Sequence, residues 1–329
     1  MKMSVINRKL IHKMTLSLSR KEKLFLFGKI VVAGAIMIYL FQKFQSFNYS
    51  KIFTFQNIHV MGFVCFLTCL NLYLQLNKWK AVFGEMIGEL SNKKLFSSFF
   101  VGVATGSFTP GRLGEYFGRS FLITEYPASE VISACVVDKL ANMFVLVFAG
   151  LFSTMWFLSF TSSLSPNLIY FFSLLLIILL GLFIYLIIQK TAAAYLYKQM
   201  EKLRFLNKLF FHLQVLKRTN PKIVFVQLSY SICLYAVIAL QYGVLTTTFS
   251  NKPLEFAFLL SGILTLFVKS FIPSISFGDL GIRESASIFF ITAIGLPAEV
   301  GFLSAFSIFL FNILVPSVLG LIILISSKK

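Results

Sequence analysis

Long apolar runs constrain the fold of this chain more than any other feature of its sequence. Several runs of about 20 residues follow one another along its 329 residues, and a helix of that length crosses the roughly 30 Å hydrocarbon core of a bilayer. Only 13% of the residues are charged, whereas soluble domains carry about 25%. The sequence therefore predicts a polytopic membrane protein. It excludes a disordered chain, a secreted disulfide scaffold and a soluble nucleotide-binding enzyme.

The apolar stretches predict an all-α helical bundle of about eight transmembrane helices with two broken or re-entrant segments. The stretches cover residues 24–41, 58–76, 95–108, 131–160, 168–188, 223–249, 254–272, 285–296 and 299–326. A basic leader of 23 residues precedes the first stretch, and no Ala-x-Ala site follows that stretch. We therefore interpret residues 24–41 as a retained span and not as part of a cleaved signal peptide. We expect the second span to reach the cytoplasm near Lys78, with a polar connector over 81–94.

Two short apolar stretches end at proline and glycine where a full span would continue. The stretch over 95–108 has 14 residues, and 14 helical residues rise only about 21 Å. The pattern Gly-x-Leu-Gly follows it at 111–114 and occurs again at 278–281, 167 residues later. Corresponding breaks in two halves of a chain indicate a transporter binding site between internal repeats, although glycine-rich helix ends also occur without a repeat. The predicted structural breaks are Pro110, Gly111, Gly114, Pro273, Gly278 and Gly281.

The distribution of basic residues predicts the topology. Lys and Arg outnumber Asp and Glu by 30 to 12, for a formal net charge of +18. Half of the basic residues lie in 1–23 and 190–222, which flank apolar spans and are typical of cytoplasmic segments. We therefore predict a basic cytoplasmic N-terminal segment, 1–23, and a single transmembrane domain, 24–329, that contains the basic cytoplasmic loop 190–222. Both termini would be cytoplasmic. No nucleic-acid recognition fold accompanies the charge, so no nucleic-acid partner is expected.

Eight ionisable residues lie within or beside the apolar segments and are the candidate binding residues. They are Arg112, Glu115, Arg119, Asp138, Lys139, Asp279, Arg283 and Glu284. Such a group costs at least about 2.5–3.5 kcal/mol at mid-depth, so it normally faces a cavity or an opposite charge. The alternative is that these residues lie at the cytoplasmic interface, where water solvates them. Glu115 and Arg119 are four residues apart, a spacing that permits an ion pair on a helix. We predict that Arg112 and Arg283 share one cavity, with Glu115 and Glu284 in the same polar cluster.

Residues that usually build catalytic or metal sites are scarce. All four cysteines lie in apolar runs, and the chain has three histidines. No metal-ligand spacing, nucleophile elbow or phosphate-binding loop is present. The sequence therefore predicts no metal and no cofactor. It also predicts no enzyme, although a membrane-embedded lipid transferase remains an alternative.

Three polar motifs interrupt the apolar segments. They are Pro-Gly-Arg-x-Gly-Glu-x-x-x-Arg at 110–119, Asp-Lys-Leu-x-Asn at 138–142 and Gly-Asp-Leu-Gly-Ile-Arg-Glu at 278–284. From about residue 20 to 325 the chain resembles the flippase-like family, which is the transmembrane region of lysylphosphatidylglycerol synthases and its stand-alone relatives. The family usually has Glu-Arg-Leu-x-Asp at the second motif and Gly-Gly at the start of the third, so the chain resembles a divergent branch. The chain ends four residues after Ile325, without the aminoacyl-transferase domain, so we do not expect it to synthesise lysyl-phosphatidylglycerol.

The resemblance implies a lipid translocase, or a lipid-binding transporter, in a plasma membrane of the bacterial inner-membrane type. The lipid would be an anionic phospholipid or a polyprenyl-phosphate lipid, and Arg112, Arg119 and Arg283 would bind its phosphate. Glu115 and Glu284 would orient those arginines, and helix ends at the breaks would add N–H donors. One alternative is an accessory subunit of envelope glycolipid assembly that transports nothing itself. The other is the lipid transferase.

Overall fold

The computed structural model describes residues 58–161, 220–272 and 279–327, together with single residues between 167 and 181. Several predicted features lie outside the described residues. These are the segment 1–23, the span 24–41, most of the span 168–188, most of the loop 190–222, and the break residues Pro273 and Gly278.

Within these ranges the chain forms nine α-helices and no β-strand. The helices are α1 (Ile58–Met86), α2 (Asn92–Phe108), α3 (Gly114–Phe121), α4 (Ala128–Thr161), α5 (Pro221–Ser250), α6 (Phe256–Phe271), α7 (Ile282–Ala293), α8 (Ala298–Phe309) and α9 (Val315–Ser326). A 3₁₀ turn, Pro110–Arg112, joins α2 to α3, and a π-helical segment, Leu310–Leu314, joins α8 to α9. The prediction of an all-α polytopic bundle is confirmed.

Four helical segments of the described chain are long and apolar enough to cross a membrane. They are Ile58–Met86, Ala128–Thr161, Pro221–Ser250 and Ala298–Ser326, and Phe256–Phe271 is a shorter apolar helix. Large apolar side chains on these helices are exposed, among them Phe66, Phe160 and Phe225. Hydrocarbon chains solvate such side chains as well as a protein interior does, so these surfaces suit a bilayer.

The second predicted span is longer than the sequence indicated. Helix α1 continues through Lys78 to Met86, so the polar connector predicted over 81–94 shrinks to residues 87–91. Lys78 is only 1% exposed and its neighbour Trp79 is fully buried. The helix continues because Lys78 has a buried carboxylate partner, Asp138, and therefore does not need water at this point.

The helices follow the same order in both halves of the described chain. Helices α1 to α4 have 29, 17, 8 and 34 residues. Helices α5, α6 and α7 have 30, 16 and 12 residues, and the final span, α8 to α9, has 29. In each half the break falls between a short helix and the next. This order is the one that an internal repeat would produce.

The two halves pack directly against each other. Helix α2 lies against α9, where Ser107 and Ser317 share a hydrogen bond of 2.8 Å between their hydroxyl oxygens. Gly320 is required at this crossing, because a Cβ there would collide with the carbonyl oxygen of Phe100. Helix α6 packs on α4 in the same way, with the ring of Phe267 over Gly150. Small residues at helix crossings are the usual means of close packing in membranes.

Candidate functional site

The first break turns the chain back onto the helix that precedes it. Gly111 and Arg112 have φ values of 58° and 57°, a left-handed conformation that is uncommon for a residue other than glycine. Helix α3 then folds onto α2, and the hydroxyl of Thr105 donates a hydrogen bond of 2.7 Å to the carbonyl of Gly114. The helices can approach this closely because a Cβ at Gly118 would lie only 2.9 Å from the carbonyl oxygen of Val101. The turn thereby carries Glu115 and Arg119 into the protein interior.

Arg119 is the centre of a buried ion network. Its Nη2 lies 2.6 Å from Oε1 of Glu115 and its Nη1 lies 3.1 Å from Oδ2 of Asp138. The guanidinium carbon lies 4.6 Å from the ring centroid of Trp79, a cation–π distance. Arg119 is 1% exposed. The Glu115–Arg119 pair expected from the four-residue spacing is therefore present, and Asp138 joins it from α4.

Two lysines complete this network, which we call the Arg119 network (Lys78, Glu115, Arg119, Asp138 and Lys139). Lys78 Nζ lies 3.1 Å from Oδ1 of Asp138 and also donates to the Asp138 carbonyl at 2.8 Å. Lys139 Nζ lies 2.7 Å from Oε1 of Glu115. The network thus connects α1, α3 and α4 through buried charges. Lys78 was not among the residues predicted for the site.

The second break carries a smaller group of charges, which we call the Arg283 group (Lys269, Asp279, Arg283 and Glu284). Lys269 Nζ on α6 lies 2.5 Å from Oδ2 of Asp279, so this pair spans the break. Asp279 is left-handed with a φ of 62°, as Arg112 is in the first break. Glu284 Oε2 accepts a hydrogen bond of 2.7 Å from the Gly281 amide, and its Oε1 lies 3.8 Å from Nε of Arg283. Lys269 is a second residue that the site prediction lacked.

Arg112 connects the two sets of charges. It interacts electrostatically with Glu115 in the Arg119 network. It also interacts with Lys269, Asp279 and Arg283 in the Arg283 group. Arg112 therefore lies within electrostatic range of both sets of charges, and the cavity that the two breaks would share stays a prediction.

Arg112 differs from the other cations of this region. Every other cation there has a carboxylate oxygen within 4.0 Å. Arg112 has none among the residues that the structure describes, and its buried Nε lacks a hydrogen-bond partner there. Its side chain is partly exposed. A guanidinium in this position is available to a phosphate or carboxylate group.

The two helix starts at the breaks already have partners for one amide each. The Gly114 amide donates to the hydroxyl of Thr109 at 2.6 Å, and the Gly281 amide donates to Glu284 at 2.7 Å. The N–H donors expected for a phosphate are therefore occupied at these two positions.

The acidic side chains of the region do not form a metal site. In the ranges 58–161, 220–272 and 279–327, no group of three or more His, Cys, Asp or Glu side chains could hold a metal ion. Cys135 is buried, and Cys65, Cys69 and Cys233 are free and exposed.

One family model matches this chain. It is described as the lysylphosphatidylglycerol synthase TM region, and it matches residues 26–320. No curated protein and no solved structure matches the chain. The matched range covers both breaks and every residue of the Arg119 network and the Arg283 group.

Proposed function

Because the chain belongs to the lysylphosphatidylglycerol synthase TM region family, we propose that it binds a lipid with an anionic phosphate headgroup and carries it across a plasma membrane of the bacterial type. The family implies a membrane protein of lipid biology. The observation that supports the finer statement is the position of Arg112, a cation without a carboxylate partner in the described chain, where two broken helices meet.

The energetics of buried charge favour an anionic ligand. Ionisable groups at membrane depth are costly unless they face one another or a polar path. The carboxylates of the site are already paired with lysine or arginine, so they compensate Arg112 only from distances beyond 4.0 Å. A phosphate would do so through two parallel hydrogen bonds to the planar guanidinium.

The two breaks provide the polar path that a lipid headgroup needs. A headgroup that enters between α3 and α7 would meet charged side chains while its acyl chains stay beside the apolar outer surface of the helices. In this scheme Glu115 and Glu284 orient Arg119 and Arg283 when no lipid is bound. The two terminal nitrogens of the Arg119 guanidinium are already paired with Glu115 and Asp138. We therefore assign the direct contact to Arg112 and a positioning role to Arg119.

The proposed topology places the halves in opposite directions. If α1 runs towards the cytoplasm and α5 away from it, the two breaks open to opposite sides, as in transporters with inverted repeats. The turn after α5, at Ser250, Asn251 and Lys252, would then face outward. A single cysteine at position 250, in a background without the four native cysteines, should react with an impermeant thiol reagent on intact cells. Labelling only after the membranes are opened would contradict this topology.

Transport is tested in vesicles of phosphatidylcholine that contain a trace of fluorescent phosphatidylglycerol. Dithionite bleaches the outer leaflet, so protein-dependent loss of the inner-leaflet signal measures translocation. We expect Arg112→Gln to slow this loss about tenfold, equivalent to about 1.4 kcal/mol in the barrier. Lys252→Gln is the matched control, because Lys252 is an exposed lysine in the connector between α5 and α6.

The alternatives give different results in the same experiment. An accessory subunit would retain bound anionic lipid, detectable by mass spectrometry of the purified protein, and would not move the label. A lipid transferase would form a new lipid product on its own. Protein that moves no label and retains no anionic lipid contradicts the proposed function.

A further inference from the structure

The partly exposed charges of the site are all positive. Lys139 and Lys269 have side chains that are 24% and 21% exposed, and Arg112 is also partly exposed. All four carboxylates are buried, with side-chain exposures between 0% and 6%. A ligand that enters the site therefore meets cations, with the carboxylates behind them.

The site also carries a surplus of positive charge. Its six cations are Lys78, Arg112, Arg119, Lys139, Lys269 and Arg283, and its four anions are Glu115, Asp138, Asp279 and Glu284. The region therefore has two more positive than negative charges. A ligand with two negative charges would neutralise it, and a ligand with one would leave a net positive charge inside the bundle.

The rest of the chain offers few acidic residues that could remove this surplus. Only Glu22 and Glu201 of its 12 acidic residues lie outside 58–161, 220–272 and 279–327. Both belong to strongly basic stretches, 1–23 and 190–222. The sequence between α6 and Asp279 contains no ionisable residue at all. The surplus is therefore counted over the part of the chain that contains ten of its 12 acidic residues.

We propose that the site selects a lipid phosphomonoester, such as phosphatidate or a polyprenyl monophosphate, over phosphodiester and zwitterionic lipids. This inference rests on the proposed function and adds the headgroup class. A phosphomonoester loses its second proton near pH 6 and approaches two negative charges at neutral pH, whereas a phosphodiester carries one. Arg112 receives two phosphate oxygens, and Lys139 and Lys269 contribute their partly exposed ammonium groups.

Selectivity is measured on the detergent-solubilised full chain with short-chain lipids of equal acyl length. The dissociation constants of dioctanoyl phosphatidate, phosphatidylglycerol and phosphatidylcholine are compared at pH 7. We expect phosphatidate to bind about tenfold more tightly than phosphatidylglycerol. A tenfold ratio of dissociation constants corresponds to the free energy that about one charge-assisted hydrogen bond contributes. Phosphatidylcholine should bind weakest. This advantage of phosphatidate should shrink as the pH falls below 6, because the headgroup then regains its second proton.

Variants identify the residues that carry the selectivity. Arg112→Gln should reduce the preference for phosphatidate to below about threefold, with a weaker reduction for Arg112→Lys, which keeps the charge and loses the bidentate geometry. Lys252→Gln should leave the preference unchanged. Glycerol 3-phosphate and inorganic phosphate distinguish a lipid site from a site for free phosphate, and both should bind far more weakly than phosphatidate.

The outcomes separate this inference from the proposed function. Equal affinities for phosphatidate and phosphatidylglycerol, both above that for phosphatidylcholine, overturn the phosphomonoester inference and leave anionic-lipid binding in place. Equal affinities for all three lipids overturn both. Inorganic phosphate that binds as tightly as phosphatidate overturns the lipid part of the inference.

Discussion

The two breaks carry similar sequence patterns but are held in different ways. Arg119 in the first break is bound by carboxylates of α3 and α4, and Lys78 of α1 binds the same Asp138. In the second break the ion pairs stay within the break and its two flanking helices, between Lys269 and Asp279 and between Arg283 and Glu284. A network that joins three helices fixes their relative positions, whereas pairs within one hairpin do not. We therefore infer that the first break is the more rigid of the two.

The largest effect is expected from Asp138→Asn in the first break. This change leaves Lys78 and Arg119, both about 1% exposed, without their shared carboxylate. Removing one partner from a buried ion pair costs about 3–5 kcal/mol, because an uncompensated charge remains inside the protein. Unfolding by denaturant in detergent micelles measures the loss. A loss below about 1 kcal/mol would show that the Arg119 network does not fix the helices.

The corresponding change in the second break is Asp279→Asn. We expect it to lower the free energy of unfolding by about half as much as Asp138→Asn does. Among the described residues only Lys269 has a charged nitrogen within 4.0 Å of the Asp279 carboxylate, and the Lys269 side chain is 21% exposed. Water can therefore solvate the ammonium once the carboxylate is gone. A hydrogen bond to a charged group contributes about 1.5–3 kcal/mol. The same unfolding titration, run on both variants in parallel, gives the ratio. Equal losses would contradict the inference that the first break is the more rigid one.

A smaller effect is expected from Gly111→Ala, which tests the backbone of the first break without touching its charges. An added Cβ meets open space, but Gly111 has a φ of 58°, and a side chain in this conformation costs about 1–2 kcal/mol. Gly84→Ala is the matched control, since Gly84 also has open space around its Cα and lies within helix α1. In the interior of a helix, alanine is more favourable than glycine by up to about 1 kcal/mol. If both variants lose the same stability, conformational strain is not what sets the cost at the break.

Local patterns in the sequence predicted most of the fold. The span predicted over 223–249 is helix Pro221–Ser250, and the one predicted over 131–160 is Ala128–Thr161, because apolar runs and the turn residues beside them are local signals. The Glu115–Arg119 pair was predicted for the same reason, since its members are one helical turn apart. The roles of these residues in lipid binding stay predictions.

Long-range pairing explains what the sequence did not reveal. The helix containing Lys78 was expected to end near that residue, because its partner Asp138 lies 60 residues further along the chain and the sequence does not show that the two meet. Lys269 was overlooked for the same reason, since only the turn at the second break brings Asp279 to it. From hydropathy alone, a charged residue at the end of an apolar run indicates that the chain has reached the membrane interface. The apolar periodicity that continues through Val82, Phe83 and Met86, all buried, was the signal for a longer helix.

The smallest effect is expected from Glu125→Gln, which separates charge from burial in the same region. Glu125 follows α3 and pairs with Lys94 of α2, and the two side chains are 39% and 47% exposed. The hydrogen bond from Lys94 lowers the pKa of Glu125 below its ordinary value. Stability from this pair is therefore present at neutral pH, above the unfolded-state pKa, and is lost as the pH falls through the lowered pKa of the folded protein. Because water and salt screen exposed pairs, Glu125→Gln should cost less than about 0.5 kcal/mol at pH 7 and nothing in acid. A loss comparable to that of Asp138→Asn would show that burial is not what distinguishes the Arg119 network from a surface pair.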